Sequence, residues 1–199
     1  VAQAILYWSG GTTAASGDNT LTLNGSIDIT GDLIGGPAFF YDNGNQYFFS
    51  AYRYDITSLG LISAGTNTLT VEGMNFEFPT TDENNGVGAL VIFSDGTNAN
   101  IQLRDGLDLA HFRFPEPRLS TVPQTFTFPA ESVDRIAKMP IFAGSVGENR
   151  PNQISVITNG PNGGTQIIDN PLGSTAGLLW DAVILDVTVP AEATEVTVE

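Results

Sequence analysis

Apolar and polar residues alternate in short runs along this chain, the period that a half-buried β-strand imposes. Leu21 and Leu23 alternate with Thr20 and Thr22, Leu69 and Val71 with Thr68 and Thr70, and Phe126 and Phe128 with Thr125 and Thr127. In a later run Val183, Leu185, Val187 and Val189 share one face, while Asp186 and Thr188 lie on the other. Ala4 to Trp8, Tyr47 to Phe49 and Ala89 to Phe93 are apolar on both faces, which predicts central strands covered on both sides. Between the runs, Asn24-Gly25, Asn43-Gly44, Asn85-Gly86, Asn159-Gly160 and Asn162-Gly163 offer the positive φ that tight turns require. The one candidate helix, Glu131 to Met139, runs into Pro140 and an Ile-Phe-Ala sequence that reads equally well as a strand edge. The expectation is an all-β, antiparallel sandwich or jelly roll of about a dozen short strands with little helix. Residues 1–199 read as one domain.

Composition narrows the possibilities. With 41% apolar and 15% charged residues the chain has the profile of a folded globular protein, and its 22 glycines and 11 prolines are spread as punctuation. No apolar run approaches the roughly 18 residues of a membrane-spanning helix. Asp and Glu number 22 against 7 Lys and Arg, a net charge of −15. So acidic a chain is a poor partner for nucleic acid and is repelled by anionic membranes. There is no cysteine, which excludes disulfides, thiolate zinc sites and thiol nucleophiles.

Little chemistry concentrates anywhere. A Ser-His-Asp arrangement would have to use His111, the one histidine, and no Gly-x-Ser-x-Gly elbow accompanies it. Paired carboxylates for glycoside hydrolysis would come from Glu72, Glu77 and Asp186, the acids embedded in strand-like runs. Calcium is the stronger site expectation, because turns rich in Asp and Asn present the oxygens a hard cation takes. Asp42 and Asp82 are its first candidates, although turn formation alone also selects these residue types. No cofactor is required. Lys138 is the one lysine, so an intramolecular Lys–Asn cross-link would have to use it, and a solvated lysine is the plainer reading. Asn24-Gly25-Ser26 is an N-glycosylation sequon in a predicted turn. Aromatics crowd residues 39–54, where they either fill a core or form a glycan-stacking platform from Tyr47, Tyr52 and Tyr54.

Several segments in order resemble a known family. Val1 to Gly10 followed by Asn19 to Gly25, then Tyr52-Arg53-Tyr54-Asp55-Ile56-Thr57, Thr66 to Val71, Gly88 to Asp95, Arg104-Asp105-Gly106-Leu107-Asp108 and Trp180 to Val187 are similar to bacterial and archaeal cell-surface β-sandwich domains of the DUF3344 type. Gly96 to Asn100 departs from the acidic-proline phrase of that family. The resemblance also implies one more strand after Thr194 to Val198, so the sandwich is expected to lack a final strand. It implies a secreted or cell-surface, non-catalytic structural or adhesive unit, such as a filament or stalk subunit. On that reading copies associate by strand complementation, through a terminal strand carrying Val1, Ile5 and Tyr7 or one carrying Thr194, Val196 and Val198. The alternatives are a carbohydrate-binding module, calcium-dependent or not, with a glycan partner, and third a glycoside hydrolase.

Overall fold

The computed structural model describes residues 1–76, 83–97, 99–174, 176 and 179–199. Among them are thirteen strands and one 3-10 turn, Thr57–Leu59, arranged in antiparallel sheets, so the all-β reading holds. The chain gathers into two compact units, Val1–Asn98 with Asp105–Leu107, and Ala99–Arg104 with Asp108–Glu199.

In the first unit β1 (Gln3–Thr12) lies at the middle of a four-stranded sheet. On one side it pairs with β5 (Gln46–Asp55), beyond which runs β4 (Asp32–Asp42); on the other it pairs with β7 (Glu83–Ile92). A second sheet holds β2 (Thr20–Leu23) between β3 (Ile27–Thr30) and β6 (Val71–Glu72). Alternation explains how the sheets meet. Ala4, Leu6 and Trp8 project from β1 into one cluster with Leu21 and Leu23 of β2 and with Phe76, all nearly sealed from water. Trp8 anchors this core: its ring stacks on Tyr52 at 5.7 Å and its indole N–H donates to the Asp18 carbonyl at 2.9 Å.

The second unit is built the same way. One sheet has the order β11 (Thr165–Asp169), β10 (Gln153–Thr158), β13 (Glu195–Val198), β8 (Gln124–Thr127). The other is the long pair β9 (Arg135–Gly144) and β12 (Trp180–Val189), in register from Trp180 opposite Gly144 to Val189 opposite Arg135. Ile154, Val156 and Val196 of the first sheet share a core with Val187 and Val189 of the second. The period-two run at 183–189 therefore points as expected, with Ile184 on the opposite face and 69% exposed. Residues 135–139 of the helix candidate are strand, with Met139 packed on the core.

Two local expectations are corrected. Ala89 to Phe93 is not a central strand, because among the described residues β7 has a neighbour only at β1, and Phe93 is 51% exposed. Val87 and Val91 on one face pack on the core of the first unit, while Leu90 and Ile92 on the other are half-buried. Asn85-Gly86 makes no hairpin either. It forms a bulge, where Ser9 faces Gly86 and Gly10 faces Asn84, leaving Asn85 without a register partner. Asn24-Gly25 does turn the chain from β2 to β3, with φ of 49° and 68°.

Candidate functional site: dispersed acids and open sheet edges

Several of the acids are occupied locally. Asp42 accepts the Gly44 N–H at 2.8 Å, the bond by which aspartate fixes a tight turn. Asp95 accepts both the N–H and the hydroxyl of Thr97, and these bonds hold its carboxyl below the usual range. Asp55 is held low in the same way, first by Thr57 and then by Gln3. Asp82 and Glu77 lie outside the described residues. Among the described residues no three His, Asp or Glu side chains gather as a metal would need. Glu72 sits in the first unit and Asp186 in the second. Asp186 faces Lys138 across the β9–β12 pair at 2.6 Å, and both side chains are more than half exposed. That is a solvated cross-strand ion pair, far from the dry surroundings a lysine needs to become a nucleophile.

His111 lies against Phe112 and Phe114, with ring centroids 4.7 and 5.3 Å away, and its Nδ1 accepts the Arg113 N–H. Burial, then Arg150 and Arg113, lower its pKa below the ordinary histidine value. Asp105 takes the Arg53 guanidinium at 2.5 Å and the Tyr7 phenol at 3.2 Å. Burial first and the Asp105 charge second push the Tyr7 pKa up to about 12.

The three tyrosines expected on a stacking platform are turned into the protein: Tyr52 and Tyr54 share one core and Tyr47 lies buried elsewhere. Tyr52 is a core residue against Trp8. Tyr47, also buried, stacks on Tyr41 at 4.5 Å near the β4–β5 turn. Tyr54 packs half-buried on the core of the first unit. Near the same turn Phe39 is 46% exposed and meets Phe48 edge to face. In the second unit a depression of about 360 Å³ is lined by Asp134, Thr158, Asn162, Thr165, Gln166 and Thr188.

Both terminal strands are interior. Ile5 and Tyr7 of β1 have register partners on β5 and on β7, and Val1 precedes the strand, exposed. Val196 and Val198 of β13 lie between β10 and β8. The Thr194 N–H donates to Asn159 Oδ1 and its carbonyl accepts the Phe128 N–H. The final residue is paired as well, because Glu199 and Ser155 exchange both backbone bonds.

The edges of that sheet are therefore β11 and β8. Asn170 donates to Asn152 and Thr158 to the Gly164 carbonyl, so the even-numbered residues of β11 turn their backbone groups toward β10. By the alternation of an antiparallel ladder, Thr165, Ile167 and Asp169 turn theirs outward. Ile167, in the middle, is 48% exposed. On β8 the Phe128 bond to Thr194 sets the opposite parity, leaving Thr125 and Thr127 outward. Their carbonyls are taken by side chains: Arg104 Nη2 donates to Thr125 O at 3.1 Å and Gln102 Nε2 to Thr127 O at 2.6 Å. The Arg104 guanidinium also covers the Phe126 ring at 5.0 Å. Sequence reasoning set Thr125, Phe126 and Thr127 in an alternating run and Arg104 in a resembling segment, and gave none of them a role at an edge. The Thr-Gln-Ile-Ile-Asp run between Gly163-Gly164 and Asn170-Pro171 carried a strand signal, but nothing in it marks an edge. No protein-family model, curated protein or solved structure matches this chain.

Proposed function

We propose that this chain is a non-catalytic structural or adhesive unit of a cell surface, secreted and associating with its like through sheet edges. The outward backbone of β11 carries this reading: three alternate residues, Thr165, Ile167 and Asp169, present N–H and C=O groups in strand geometry. Such an edge is a template for another strand, with backbone bonds supplying affinity and alternate side chains fixing register. The dispersal of the acids into turn-forming bonds points away from catalysis and toward structure. The interior positions of β1 and β13 move the proposed contact away from the termini and onto β11.

Ile167→Pro tests the proposal. It removes an outward N–H and leaves the bonds to β10 in place, a position at which edge strands tolerate proline. Light scattering and electron microscopy are expected to show assemblies for the native chain and smaller species for the variant. A native chain that stays monomeric at high concentration overturns the proposal. Glycan binding is the second reading, favoured by the hydroxyl- and amide-lined depression around Thr158, Asn162 and Gln166. A glycan array in which Gln166→Ala abolishes a signal would establish it.

A further inference from the structure

The two edges of the β11-β10-β13-β8 sheet differ, and the difference specifies how far association can proceed. We infer that the open edge, β11, pairs antiparallel with β11 of a second copy about a two-fold axis at Ile167, and that Gln102 and Arg104 close the β8 edge so that association through this sheet stops at two. This rests on the strand-addition reading above and names its partner, its register and its limit.

Charge and apolar contact together set the register. Centred on Ile167, the pairing sets Ile167 opposite Ile167 of the second copy and Thr165 opposite the second copy's Asp169. The two Asp169 carboxylates then stand four residues apart, about 13 Å along the strands, beyond the roughly 8 Å over which salt leaves charges coupled. Each meets a hydroxyl group instead of its like. Gln153 Nε2 already donates to one oxygen of Asp169 at 2.8 Å, which leaves the other to accept from the Thr165 hydroxyl. Sliding the pairing toward Asn170 brings the two carboxylates to a diagonal separation of about 7 Å and presents Pro171, which has no N–H to give. The exposed Ile167 side chains, by contrast, gain apolar contact only in the centred register.

The limit follows from β8. An incoming strand there would need the Thr125 and Thr127 carbonyls, both already satisfied by Arg104 and Gln102. Arg104 is further held by the Leu103 carbonyl and by the Phe126 ring, so displacing it breaks several interactions at once. With one edge open and one closed the contact is self-complementary and closes as a pair. Were both edges open, β11 could meet β8 of the next copy and the assembly would continue without end.

The chain has no cysteine, so one introduced thiol reports on the contact without background. In Ile167→Cys the two-fold axis sets the new thiols on directly opposed residues about 5.5 Å apart at Cα, within disulfide range. Mild oxidation is expected to give at least about tenfold more covalent dimer than in Ile184→Cys, which is exposed but off this edge, because paired thiols see an effective concentration that collisions do not supply. Equal yields from the two variants overturn the β11 pairing. If the native chain assembles nonetheless, edge association survives through another strand; if it is strictly monomeric, both readings fail. The Gln102→Ala/Arg104→Ala double variant, checked by circular dichroism for native strand content, is expected to grow beyond the dimer. A double variant that remains folded and dimeric overturns the guarding role of these two side chains.

Discussion

Replacing Gly31 with alanine inserts one methyl group where the first unit has no room for it. A Cβ built at Gly31 collides with Cη2 of the Trp8 ring and lies only 2.6 Å from Cζ2, and the Arg53 carbonyl oxygen sits 3.0 Å away. Carbon atoms pack comfortably at about 3.6 Å, so the indole would have to move by about 1.5 Å. Trp8 cannot give way freely: it is 1% exposed, stacked on Tyr52 and tied through its N–H to Asp18. Overpacking of this kind costs about 1–3 kcal/mol, while the smaller unfolded-state entropy of alanine returns about 0.4–1 kcal/mol. A net loss of about 1–2 kcal/mol is expected, read as a lower urea midpoint with an unchanged slope. Gly164→Ala is the matched control, because its Cβ meets nothing within 4 Å, and it should leave the midpoint unchanged or raise it. Trp8→Phe removes the colliding ring, so Gly31→Ala should cost distinctly less in that background than in the native one. If Gly31→Ala unfolds at the native midpoint, or if its cost is the same with Phe at position 8, the close approach of Gly31 and Trp8 is refuted.

The raised pKa of Tyr7 means that the folded protein keeps a proton the unfolded chain releases, so the contribution of this phenol to stability should be constant below pH about 10 and be lost from there to about pH 12. In Asp105→Asn the ultraviolet titration of this phenol should move down toward the ordinary tyrosine value, and no movement would remove Asp105 as a cause. Deleting Thr194 to Glu199 takes β13 from between β10 and β8 and with it the buried Val196, so the second unit should lose cooperative unfolding; native-like melting of the truncated chain would contradict the strand order. Asp186→Ala breaks an exposed pair and should shift stability by no more than about 1 kcal/mol, and the intact mass of the native protein should equal that of the uncross-linked sequence.

Which face each strand buries was readable where one face alone is covered. The alternation at Leu21 and Leu23, and at Val187 and Val189, put the right side chains in two cores, because period two carries that information directly. Neighbour relations were not readable. Ala4 to Trp8 and Ala89 to Phe93 look alike as apolar runs, yet one is central and the other is an edge, since lateral pairing uses backbone groups common to every residue. The turn at Asn24-Gly25 and the bulge at Asn85-Gly86 share a dipeptide for the same reason: positive φ or an extra residue is all that the pair offers, and the partner strand decides which is used. The guard on β8 was hidden more deeply. Gln102 and Arg104 act on Thr127 and Thr125 across more than twenty residues of chain, with no motif to announce them.

Charge adds a reason for contact through the second unit. The net −15 is unevenly shared: the first unit carries eleven acids against Arg53 alone, which is itself held by Asp105, whereas the second carries eleven acids against six cations. Two copies meeting through their first units would set the more acidic bodies side by side, at a cost that grows as salt is lowered. Meeting through β11 joins the less acidic ones, and there the nearest acid, Asp169, is offset from its counterpart by the register itself. Dimerisation through β11 should therefore weaken only modestly at low ionic strength. Asp32→Lys, an exposed change in the first unit, should leave the dimer intact, while Thr165→Asp, which sets carboxylate against carboxylate at both ends of the pairing, should dissociate it. Sedimentation of these two variants side by side separates a contact set by local register from one set by overall charge, since a dimer that responds to Asp32→Lys and ignores Thr165→Asp cannot be held by β11.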